Sequence, residues 1–278
     1  MKLLSRSVLL VLLVVAMLTN CVLAEEETAV SMADLQAGGT YQATTMFVSD
    51  LMPQKLNDEA ADWYSVQQGC ATDGTYVYYI LENQTQKLCA LHKVRIADWT
   101  TVDIRFELYL GHGNDMTYNP KINKLVVTNN KPTYNVLSII DPDTLEIVQT
   151  RELPINMYAI AYSEERDQYA IGLSNGYSFV ITDGEFNELA RYEGYDTGKL
   201  RQGADCDANY IYFPQSRQAG AAGYNGIAVY DWSGNFITLI DVKKNKLEGE
   251  SMFHVGDDYY LVCNLGGSYT FKLDVFEK

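Results

Sequence analysis

The chain has 278 residues, a formal net charge of −15 and 47% hydrophobic residues. So acidic a chain lacks the positive face that nucleic acid or an anionic membrane surface requires, which excludes both as partners. Its length and apolar content suffice for one large core, and all-β chains of this size commonly form a single domain.

Residues 1–24 read as an export signal. Lys2 and Arg6 precede an apolar run from Val8 to Leu18, and Val22-Leu23-Ala24 places small side chains at a cleavage site. The mature chain then starts at Glu25, secreted or held at the cell surface. A rival reading makes Cys21 a lipid-modified cysteine, although Asn20 immediately before it fits that motif poorly. No other segment is apolar for long enough to span a bilayer. Residues 25–38 follow as a linker, and residues 39–51 (GTYQATTMFVSDL) read as a strand with no repeat of their own.

From residue 67 onward the chain repeats itself. QQGCATDGTYVYYILEN (67–83), GHGNDMTYNPKINKLVVTNN (111–130), NMYAIAYSEERDQYAIGLSN (156–175), RQGADCDANYIYFPQS (201–216) and EGESMFHVGDDYYLVCN (248–264) each give a polar start, a strand, a tight turn and a second strand. With Gln68, His112, Asn156, Gln202 and Glu248 as equivalent starts, the intervals are 44, 44, 46 and 46 residues. The turns fall at Asp73-Gly74, Asn119-Pro120, Glu165-Arg166-Asp167, Ala208-Asn209 and Gly256-Asp257. A second pair of strands follows, as in NVLSIIDPDTLEIVQT, YSFVITDGEFNELARY and GIAVYDWSGNFITLIDV.

Four strands per unit at this period are the signature of propeller blades. The expected fold is all-β, a five-bladed β-propeller over residues 39–278 with blades starting near residues 67, 111, 156, 201 and 248. The last repeat ends after three strands, in GGSYTFKLDVFEK. Residues 39–51 are expected to supply its outer strand and remove an open edge.

The 21 tyrosines mostly alternate within strands and are expected to pack between blades. Tyr134, Tyr195 and Tyr224 fall in loops, the last within the Gly/Ala-rich stretch at 216–226. Cys70, Cys89, Cys206 and Cys263 match no zinc spacing; after export they suit either a disulfide or buried thiols. His92 is expected to face solvent and His254 to be a satisfied strand residue.

Blade starts of the form Q-G or H-G-N-D-M-T-Y-N-P, with YDWSGNF late in a blade, resemble those of secreted bacterial five-bladed propellers of unassigned function. The resemblance spans nearly all of the mature chain and implies the fold rather than a chemistry. A fainter similarity is to propeller-type glutaminyl cyclases, whose blades also open on Q-G and E-G steps; no block here matches their catalytic site.

In a propeller the first strand of each blade lines the central channel. Gln68, His112, Asn156, Gln202 and Glu248 or Glu250 are therefore expected to converge at one mouth, with Asn114, Asp115, Tyr158 and Asp205 beside them. Such a ring of carboxylates, amides and one imidazole suits a small polar ligand. It equally suits trapped water and inter-blade hydrogen bonding.

The expected function is binding of a small polar ligand, a glycan or a protein partner at this mouth, by a monomer, without catalysis. No cofactor is expected, and no metal, since a D-x-D-x-D-G loop is lacking. The alternative is an exported enzyme, glycan-cleaving or cyclase-like, using Asp115, Asp205 or Glu250 with His112. It requires two carboxylates facing each other across a solvent-open gap of roughly 5–10 Å. Asp115→Asn keeps shape and hydrogen-bond capacity and is expected to disturb folding little.

Overall fold

The computed structural model describes residues 28–174, 176–216, 225–243 and 247–278. The export signal, Cys21 and Tyr224 lie outside them. The described chain is all-β, its one helical element being the short 3-10 turn Met32–Asp34. No helix among the described residues is long and apolar enough to cross a membrane.

Strands follow the predicted repeats. Three separate antiparallel sheets of four strands cover residues 66–108, 115–152 and 157–192. A nine-stranded sheet has one half built from residues 200–242 and the other from 248–277, and residues 54–55 pair with 63–64 in a small two-stranded sheet. The strand Tyr41–Leu51 lies between these halves. It runs antiparallel to Ser268–Glu277 along nearly its full length and parallel to residues 240–242 at its start. It thus covers an edge that the last repeat would otherwise leave open.

The inner strands Val66–Thr72, Asp115–Asn119, Met157–Ser163, Asp205–Cys206 and Glu248–Val255 touch one another in sequence order, and the last touches the first. A closed cycle of meandering sheets is a β-propeller arrangement. Apolar clusters fill the space between each pair of neighbours. Tyr78, Ile80, Leu91, Met116 and Val127 bridge the first two sheets, Val126, Met157, Ile160 and Ile171 the next two, and Cys70, Tyr79, Phe253 and Val262 join the last unit to the first.

All five predicted inner turns lie between paired strands. Carboxylates hold many of them. Asp73 accepts from the Thr75 and Tyr76 amides, and Asp207 from those of Asn209 and Tyr210. The outer turns repeat the device, with Asp141, Asp183 and Asp231 each accepting two main-chain amides. A tyrosine five residues away braces several inner turns: Tyr78 donates to Asp73 at 2.8 Å, Tyr118 to Asn123 at 2.8 Å, Tyr162 to Asp167 at 2.7 Å and Tyr212 to Asp207 at 2.6 Å. Many tyrosines and acids therefore serve the architecture.

The described part of the stretch expected as a linker, residues 28–38, is packed instead. Met32 and Leu35 are buried in the cluster shared by the two halves of the large sheet, and Tyr210 donates to the Leu35 carbonyl. Burial of two apolar side chains turns the linker into a latch. His92 also differs from expectation: it is fully buried, and loss of solvent lowers its pKa to about 4, so it is neutral.

Deletion of residues 25–52 removes both the latch and the covering strand. The truncated protein is expected to unfold or aggregate, read by size-exclusion chromatography and thermal melting. A monomer that melts like the full chain would refute this closure.

Candidate functional site

The candidate residues occupy three levels of the channel. At the end where the inner strands begin, Asn114 is buried and donates from Nδ2 to the main-chain oxygens of Tyr158 (2.9 Å) and Gln202 (3.1 Å). The Tyr158 hydroxyl donates to Gln202 Oε1 at 3.3 Å, and Gln202 Nε2 donates to Glu248 Oε1 at 2.9 Å and Ser216 Oγ at 2.8 Å. Glu250 is 7% exposed and lies close to Glu248 and Asn264. Burial first, and then the neighbouring Glu248, push its carboxyl well above the usual carboxylate range.

His112 belongs to the same end. Its Nδ1 stands 2.9 Å from Oε2 of the buried Glu82, whose charge also acts on Glu250. Gln68 is buried on the first inner strand, while Asn156 is exposed and accepts from the Ser174 amide through its main-chain oxygen. The mouth thus joins Asn114, Tyr158, Gln202 and Glu250, with His112 at its side.

Asp115 lies deeper. It is fully buried, and its Oδ2 accepts from the Ile160 and Ala204 amides, each at 2.8 Å. Its Oδ1 accepts from Ser251 Oγ at 2.8 Å. Burial raises its pKa, whereas the three donors favour the ionised form. A carboxylate so buried, with both oxygens hydrogen-bonded inside the protein, is closed to a substrate.

Two glycines permit this approach. A Cβ on Gly69 would stand 2.6 Å from the Asp115 backbone, and one on Gly203 would stand 2.9 Å from Asp115 Oδ1 and 2.8 Å from Ser251 Oγ. Neither contact can be relieved cheaply, because backbone and a buried polar pair stand in the way.

Asp205 sits at the opposite end, in a cavity of about 320 Å³ that all five repeats line, together with Asp207, Tyr162 and His254. Its Oδ2 lies 2.8 Å from His254 Nδ1, and His254 stacks on Tyr259. The Asp205 charge raises His254 to about 9 against the opposing effect of burial. Asp115, Asp205 and Glu250 therefore stand at different levels, and no pair of them faces a common gap.

The partners that sequence reasoning missed share a position. Glu82, Asn130, Ser216 and Asn264 all lie at or just beyond the end of a second strand, beside the start of the first. The signal was present as an acid in the otherwise apolar YVYYILEN and as the polar ends of VTNN, PQS and VCN. Cys70, Cys89 and Cys206 are buried thiols, and burial pushes the pKa of each up, which keeps them unreactive. Among the described residues no three His, Cys, Asp or Glu groups could hold a metal ion.

No family model matches the chain, and no curated protein matches it. Among solved structures, regucalcin from Agrobacterium tumefaciens strain C58, described as a calcium-binding protein, aligns over 84% of this chain and 97% of its own, with 10% identity and a TM-score of 0.47.

In Asp115→Asn the carboxamide oxygen can still accept the Ile160 and Ala204 amides while its N–H faces the Ser251 hydroxyl, which can accept, so the sharper test is Asp115→Ala, which leaves both amides without an acceptor. The variant is expected to lose about 3 kcal/mol of stability in chemical denaturation, the scale for an uncompensated buried polar group. A loss under about 0.5 kcal/mol, within the range of ordinary surface changes, would contradict this role.

For His254 the folded pKa is raised, so its ion pair contributes fully below the unfolded value of about 6.5 and fades as pH rises through about 9. The stability gap between wild type and His254→Gln is expected to be widest near pH 6 and to shrink by pH 9. A gap that does not vary with pH would argue against the pair.

Proposed function

We propose that the chain is an exported five-bladed β-propeller that binds a small polar ligand at one mouth of its channel, without catalysing a reaction. The 44-to-46-residue period, the cycle of inner strands and the export pattern at residues 1–24 support the architecture and its destination. One observation carries the binding reading. Tyr158, Gln202 and Glu248, from three successive repeats, form one hydrogen-bonded cluster at the mouth, with Asn114 behind it and Glu250 close by.

Such a cluster can orient a ligand through several directional contacts at once. Catalysis by Asp115, Asp205 or Glu250 with His112 is the weaker reading. Asp115 is buried with both oxygens hydrogen-bonded inside the protein, Asp205 is paired at the far end, and Glu250 is buried beside Glu248. Hydrolysis of a glycosidic bond needs an acid and a base on two sides of the bond.

Gln202→Ala and Tyr158→Phe remove mouth contacts and leave the inter-sheet cores intact. On an array of glycans and small polar molecules, the mature Gln202→Ala protein is expected to bind about tenfold more weakly, a loss of about 1.4 kcal/mol, while still melting cooperatively. Binding that survives both substitutions would place the ligand elsewhere.

A further inference from the structure

The cavity at the far end of the channel holds about 320 Å³, inside the range of about 300–1,000 Å³ typical of small-molecule sites. Its floor is buried, with Met116, Ala204 and Met252, and its rim is exposed, with Glu164, Glu165 and Gly256. It is therefore a concavity that opens at the inner turns. The buried Asp115 and the strands it joins close it off from the opposite mouth.

Two polar groups reach this space together. Asp205 Oδ2 lies 2.8 Å from His254 Nδ1, and the two side chains are 17% and 28% exposed. The Asp205 charge, aided by Asp207 and Glu165, keeps the imidazole protonated against burial, while Tyr259 stacked on it and the buried thiols of Cys70 and Cys206 stay neutral. With Nδ1–H given to Asp205, the ring keeps Nε2–H as a second donor. The pair thus sets a donor beside a carboxylate on one wall. A separate bond, from the Tyr259 hydroxyl to Asp207 at 2.8 Å, already joins the same two repeats.

The other carboxylates select the charge of a ligand. Asp73 accepts two main-chain amides and the Tyr78 hydroxyl, and Asp207 accepts two amides and the hydroxyls of Tyr212 and Tyr259. These oxygens are already hydrogen-bonded and Asp205 is paired, so a cation finds no free carboxylate below the rim. An anion meets five lining carboxylates against one imidazolium, which is a net repulsion. A neutral hydroxyl both donates and accepts, and so matches Asp205 and His254 at once.

We propose that this cavity is a second binding site, for a neutral polyhydroxyl ligand such as a monosaccharide or a cyclitol, one hydroxyl of which donates to Asp205 and accepts from His254 Nε2. The C–H faces of the ligand lie against the apolar lining of Met116, Met252 and Phe253. The site is independent of the opposite mouth.

Imidazole NMR of the mature protein tests the assignment, because the chain has only three histidines. In titrations with D-glucose, myo-inositol, glucosamine and glucose 6-phosphate at neutral pH, at least one of the two neutral compounds is expected to shift the His254 ring signal while that of the buried His92 stays fixed. By calorimetry that compound is expected to bind at least about tenfold more tightly than either charged one. His254→Gln and, independently, Asp205→Asn are expected to weaken its binding about tenfold, with folding checked by circular dichroism, whereas Gln202→Ala leaves it unchanged. The wild-type ring shift decides the matter if either cavity variant fails to fold.

No binding of either neutral compound, or a charged compound bound as tightly as the neutral ones, overturns the assignment. A neutral compound that leaves the His254 signal in place and is lost in Gln202→Ala sits at the opposite mouth; the mouth reading then stands and this one falls. A neutral compound held equally by all three variants lies outside both sites.

Discussion

A single carboxylate joins the inner strands. Where five strands converge on a narrow axis, main-chain amides that point inward cannot all find strand partners, and buried amides without partners are costly. Asp115 accepts from Ile160 and Ala204 on the next two repeats and from Ser251 on the last, and Ser251 Oγ in turn accepts from the Cys70 amide of the first, at 3.4 Å. Every repeat thus reaches the same charge directly or through one hydroxyl. Desolvating a carboxylate is expensive, and the three donors offset that cost only if all of them reach it. Gly69 and Gly203 matter for this reason, since either with a side chain would hold a strand away.

This hub also divides the channel. With its centre occupied by a buried, hydrogen-bonded carboxylate and packed glycines, the two ends cannot share a ligand, and each has its own electrostatics. One end keeps Asp205 and His254 as an ion pair above an open cavity. The other gathers Glu82, Glu248 and Glu250 with amides and a tyrosine. Three carboxylates that looked like a catalytic trio are separated by the feature that closes the ring.

What the sequence reveals follows from what repeats. The period located every inner turn, because a hairpin needs turn residues at a fixed place in each unit, and the unpaired residues 39–51 pointed to the open edge of the last unit. Depth along the channel does not repeat. His112-Gly113-Asn114-Asp115 reads as one cluster, yet Gly111 and Gly113 both take positive φ and Asp115 already lies on the inner strand, so four neighbours span a partly exposed side chain and a fully buried one. His92 was misplaced similarly, since the charged residues around it mark an outward face that the alternating strand takes away from it. Glu82 and Asn264 escaped notice because attention rested on first strands, while second strands end at the same mouth.

Acidity itself separates into two populations. Asp98 and Asp141 are held below the usual carboxylate range chiefly by the turn amides of Thr100 and Thr144, and Asp183 chiefly by the Asn187 side chain; these groups are stabilised by being charged. Glu250 is pushed the other way by burial and by Glu248. Turn carboxylates already have their donors, so their charge adds little beyond local structure and a general attraction for cations. Glu250 has no such turn amides and is buried beside a second acid, so its charge is disfavoured where theirs is favoured. The same residue type is held ionised where amides surround it, and is driven toward its neutral form where burial and a neighbouring acid replace them.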